Sequence, residues 1–139
     1  MQWLTWALLS ALFAAATALL AKIGIDGVNS HIATAWRTTV VMVIAWGIAF
    51  VTNRPEAILD LPKRSWVFLV LSGIATGLSW LCYFRALQLG DVSRVAPVDK
   101  LSVVFVIVFA AFFLGEPLTW RTLVGGGLIA AGAVILAMK

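Results

Sequence analysis

Five apolar runs, each about 20 residues long, alternate with short polar stretches along the 139-residue chain. The polar stretches are residues 24–31, 53–65, 90–93 and 115–117. Between them the pattern predicts helices over about 3–21, 32–52, 66–89, 94–114 and 119–138. At 1.5 Å per residue, 20 helical residues reach about 30 Å, the thickness of a bilayer's hydrocarbon core. A transmembrane strand would cross in about 10 residues with polarity alternating every second position. That alternation is absent, so the expected fold class is all-α: an integral membrane protein of five transmembrane helices in a compact bundle, one domain over 1–139. The short connections make consecutive helices antiparallel neighbours.

Composition sharpens this picture. Hydrophobic residues make up 63% and charged residues 12%, against about 25% charged in a soluble domain. The mean hydropathy is +1.05. The net charge of +4 comes from ten scattered basic residues that form no stripe on a polar helix face, so nucleic acid is not an expected partner. A basic excess in membrane proteins collects in loops near anionic lipid. The single cysteine, Cys82, lies in an apolar run and forms no intramolecular disulfide. The first run lacks an N-terminal Lys or Arg and exceeds the usual signal-peptide core, so it is expected to stay as a span. Small residues recur at helical spacing: Ser10, Ala14 and Ala18; Gly73 and Gly77; Gly127 and Ala131. Such stripes let helix backbones approach closely in lipid.

The residues that a bilayer penalises are Arg37, Arg85, Asp99 and Lys100. A charge at the centre of a span costs about 2.5–3.5 kcal/mol on insertion scales. Arg and Lys near a helix end escape most of that by snorkelling; Asp is too short. Following the chain from side A, where it starts, the first span ends on side B. Lys22, Arg37, Arg85, Asp99 and Lys100 then all gather towards side B. Arg37 and Asp99 sit at equal depth and are expected ion-pair partners. One reading is a structural pair with snorkelling anchors. The other is an electropositive vestibule for an anionic or zwitterionic solute, or a lipid headgroup. The candidate substrate-binding residues are Arg37, Arg85, Asp99 and Lys100, with Tyr83 and Trp80 (and Phe84) as cavity-lining or core aromatics. Pro97, Gly115 and Pro117 are candidate breaks or hinges. Pro97 is benign in a first helical turn, but frees a carbonyl if the helix starts upstream.

Catalysis finds no support. His31 is the single histidine, so no His-rich metal site or HExxH pattern exists, and a Ser–His–Asp set could only use His31, which falls in a polar turn. No phosphate loop follows a strand, and Gly125, Gly126 and Gly127 lie within an apolar run. No enzyme, metal or cofactor is expected.

Several segments together resemble a known family. They are Tyr83, Phe84, Arg85, Ala86, Leu87; then Val95, Ala96, Pro97; then Phe113, Leu114, Gly115, Glu116, Pro117, Leu118, Thr119; then the glycine-rich stretch 125–132. In that order they resemble the EamA domain of the drug/metabolite transporter superfamily, across essentially the whole chain. The Leu–Gly–Glu break followed by a glycine-rich last helix is the most specific part. The segment Val98, Asp99, Lys100 resembles a small five-helix branch; larger members carry two such units as an inverted repeat. The resemblance implies a transporter of small metabolites in the inner membrane of a bacterium, and leaves the substrate open. The four-helix small multidrug resistance relatives use a first-helix carboxylate for proton coupling, whereas the first span here has no Asp or Glu.

The expected function is a half-size transporter of a small polar or anionic metabolite, working by alternating access as an antiparallel homodimer or as a heterodimer with a paralogue. The alternative is an accessory or lipid-handling membrane subunit without a transport cycle of its own. Lys and Arg divide four to four between the sides (Arg54, Lys63, Arg64 and Arg121 against Lys22, Arg85, Arg94 and Lys139), or four to six if the membrane-embedded Arg37 and Lys100 count on side B, which barely favours either orientation.

Overall fold

A computed structural model describes residues 2–53 and 60–138. The described residues form six helices and no strand: α1 Gln2–Gly24, α2 Ser30–Thr52, α3 Lys63–Leu89, α4 Val92–Asp99, α5 Ser102–Phe113 and α6 Trp120–Ala137. With α4 and α5 taken as one span, five segments are long and apolar enough to cross a membrane. The part of the polar stretch 53–65 that covers residues 54–59 lies outside the described residues.

Local chemistry sets the boundaries. α1 gives way to a turn in which the Val28 N–H donates to the Ile25 carbonyl at 3.2 Å. Its third position, Gly27, has φ +69°, a left-handed value that favours glycine. Asn29 then caps α2 by accepting from the His31 N–H at 2.9 Å. His31 therefore sits in the first turn of a helix, not in the polar turn expected from its neighbours. α3 starts three residues before the expected Trp66, because the Pro62 carbonyl accepts from the Trp66 N–H at 3.1 Å and Pro is at ease at a helix start. α5 ends at Gly115, φ +67°, and the Glu116 N–H turns back to the Ala110 carbonyl at 3.2 Å. Thr119 caps α6 by accepting from the Thr122 N–H.

The expected continuous fourth helix is interrupted. α4 begins at Val92, so Pro97 is its sixth residue, beyond the first turn. With no N–H, Pro97 leaves the Ser93 carbonyl without its usual i+4 donor. Beyond it the backbone tightens: the Leu101 N–H donates to the Val98 carbonyl at 3.0 Å, and the Val104 N–H to the Leu101 carbonyl at 2.9 Å. These i to i+3 bonds are of 3₁₀ type, and they separate α4 from α5 at Lys100 and Leu101.

The chain divides into two units. One combines α1 up to Lys22 with α4, α5 and α6; the other is Ile23–Gln88, that is α2 and α3 with the turn before them. In the first unit, the packed face of α6 carries Gly126 and Ala133, both buried, while Gly127 and Ala131 are exposed. Within this unit the buried pair is thus Gly126 and Ala133, not the expected Gly127 and Ala131. A Cβ on Gly126 would lie 3.1 Å from Ile107 Cδ1, whereas Gly73, Gly77 and Gly127 have nothing within 4 Å. Few side chains are buried and most large apolar ones are exposed, as suits helices whose solvent is lipid. Several threonine hydroxyls within the spans donate to their own helix: Thr34 to the Ser30 carbonyl at 2.8 Å and Thr38 to that of Thr34 at 2.8 Å.

Candidate functional site

The candidate residues fall into two groups, one per unit. In the second unit α2 and α3 run antiparallel, and their register is pinned at one end. The Gln88 side-chain amide donates to the Val28 carbonyl at 2.6 Å. Arg37 is nine residues beyond Val28 and Trp80 eight before Gln88, so the two are level. The Arg37 guanidinium carbon lies 4.4 Å from the Trp80 ring centroid and 5.3 Å from that of Phe84. Trp80 and Phe84 are four residues apart on α3 and share a face with Leu87, the most deeply buried side chain. Phe84 is buried; Arg37, Trp80 and Tyr83 are half-buried. Tyr83 is close enough for its phenol to interact electrostatically with the Arg37 charge.

Arg85 is held differently. It is exposed, and its Nη1 donates to the Gln88 Oε1 at 3.1 Å. Gln88 therefore bridges Arg85 and the α1–α2 turn. Gln88 was not among the residues expected from the sequence, although it is the one side-chain amide of its span.

In the first unit Asp99 and Lys100 sit where α4 stops. Lys100 Nζ is 3.3 Å from Asp99 Oδ2, so the ion pair recorded for Asp99 is with its own neighbour. Pro97 lies two residues upstream, within α4. Gly115 and Pro117 are at the far end, between α5 and α6. Lys22 Nζ donates to the Gly90 carbonyl at 2.9 Å, near the start of α4, and Arg94 is 3.8 Å from Asp91 on the exposed rim. Among the described residues no group of three or more His, Cys, Asp or Glu could hold a metal ion. Chemically, the second unit offers a cation braced on aromatic rings, and the first offers a charged pair at a helix interruption.

Residues 1–138 match the family described as EamA-like transporter family. The chain is 52% identical over 137 residues to an "uncharacterized transporter in cobO 3′ region" of Sinorhizobium sp., covering 99% of this chain and 97% of that protein. It is 39% identical over 74 residues to a "probable 4-amino-4-deoxy-L-arabinose-phosphoundecaprenol flippase subunit ArnE" of Pseudomonas aeruginosa, covering 53% of this chain and 63% of that one. No solved structure matches the chain.

Proposed function

The chain belongs to the EamA-like transporter family, and from that premise we propose that it is a half-size transporter of a small polar or anionic metabolite. Two copies, inserted in opposite orientations, rock about a shared site and expose it alternately to each side of the membrane. The observation that carries the reading is the Arg37 guanidinium carbon lying over the Trp80 and Phe84 rings within a pair of membrane-spanning helices. A charge there costs stability unless something uses it. Arg85 supplies further charge for the solute's polar groups and Tyr83 and Trp80 line its path, while in the other unit the α4–α5 interruption, with Asp99 and Lys100, is the flexing point. Oppositely inserted copies stand to each other as the halves of an inverted repeat, and the nearly even split of Lys and Arg opposes neither insertion. The setting is the inner membrane of a bacterium.

The test is flux. Protein purified alone and reconstituted in liposomes is expected to exchange a labelled solute identified by a stability screen, and an Arg37→Gln variant to exchange it more slowly at equal incorporation. Inert liposomes would sink the reading. A second reading has specific support in the relative named as a flippase subunit: an accessory, lipid-handling subunit. On that reading flux appears only when a second, separately encoded chain is added.

A further inference from the structure

We propose that Arg37 is a receptor for an oxyanion, a carboxylate or a phosphate ester, held in the plane of its guanidinium, and that Trp80 is the positioning residue that sets that plane. The proposal deepens the transporter reading by naming the chemistry taken at the same site, and it rests on that reading only for the site's role in transport.

Snorkelling predicts a different geometry. Arg37 lies seven residues into α2, about 10 Å along the helix axis. A guanidinium escaping to water would move out along α3 towards Leu89, past Phe84. Instead it sits nearer Trp80, the ring one turn further from that helix end, at 4.4 Å against 5.3 Å. Its charge is therefore held at depth. Among the described residues of its own unit, no carboxylate comes within ion-pair distance of it.

Contact with the ring face also bears on which part of the guanidinium stays available. A ring beneath the plane attracts the cation through its face. The five N–H donors lie in the plane and point outward as a rigid fork, which matches the two oxygens of a carboxylate or phosphate. A lysine at this position would keep the charge and lose both the stacking and the fork. Arg85 differs, because Gln88 occupies one of its N–H groups.

The test uses full-length protein in maltoside detergent. Thermal midpoints are followed against glycerol 3-phosphate, succinate and dioctanoyl phosphatidic acid, with sodium chloride at matched ionic strength and dioctanoyl phosphatidylcholine as controls. A saturating rise with at least one oxyanion is expected. Arg37→Lys should weaken its apparent affinity by tenfold or more and Trp80→Leu by severalfold. Arg121→Gln, an exposed charge at the start of α6, should leave it unchanged. Unmutated protein supplies an independent readout: the same oxyanion should protect Arg37, but not Arg121, from phenylglyoxal, read by mass spectrometry. A response to phosphatidic acid alone assigns the oxyanion to a lipid headgroup; a response to the soluble anions assigns it to a free solute. No saturating response, an Arg37→Lys variant that binds like the parent, or an Arg37 modified equally with and without the anion would overturn the proposal. Binding with inert liposomes would retain the receptor and reject the transporter; flux without any oxyanion binding would do the reverse.

Discussion

Arg37 and Arg85 are both arginines towards the same end of one helix pair, and their neighbours divide their roles. Arg37 rests on rings, whereas Arg85 is tied through Gln88 to the Val28 carbonyl. Gln88→Leu cuts both hydrogen bonds of that bridge at once. A net hydrogen bond is worth about 1 kcal/mol, so a thermal midpoint lower by a few degrees is the expected outcome, with oxyanion binding at Arg37 retained. An unchanged midpoint would show that the bridge holds nothing.

The fourth span shows how a single residue type shapes an element. Pro97→Ala supplies the missing N–H to the Ser93 carbonyl and removes the ring from a helix interior, where proline costs about 3 kcal/mol. The variant should melt higher than the parent and, if the interruption is the flexing point, transport more slowly. Equal melting together with equal flux would show that neither the proline nor the break matters. On α6 the packing point is Gly126. Its would-be Cβ meets the flexible end of Ile107 at 3.1 Å, so Gly126→Ala should be nearly neutral. Gly126→Leu should cost about 1–3 kcal/mol by overpacking, and Ile107→Val should recover part of the loss. The same pair at Gly127, where nothing lies within 4 Å, should show no such contrast in thermal midpoint.

For the whole molecule the question is orientation. A balanced distribution of Lys and Arg gives no electrostatic reason to prefer one insertion. In a Cys82→Ala background, a single cysteine at the exposed Asp60 position is expected to react with impermeant reagent from both sides of the membrane. Labelling from one side, with no oppositely oriented partner co-purifying, rejects the antiparallel homodimer. Shifting the balance by adding lysines next to Asp60 should force one orientation and abolish flux unless a second, oppositely biased copy is coexpressed.

Much of this protein is determined by its sequence alone, because in lipid the backbone must satisfy itself and apolar length becomes span count. Trp3 to Met138 therefore read as five crossings from apolar length alone, and the turns at Gly27 and Gly115 are marked by residues that tolerate positive φ. The residues that matter for binding were legible as a type, charges inside apolar runs, but their partners were not. Depth along a helix is one coordinate and says nothing of azimuth, so the Arg37–Trp80 contact, the Gln88 bridge and the choice of Gly126 over Gly127 as the α6 packing point needed three dimensions. The interruption after Pro97 was likewise decided by where α4 starts, two residues upstream of the polar boundary, which moves the proline past the first turn and turns a tolerated residue into a break.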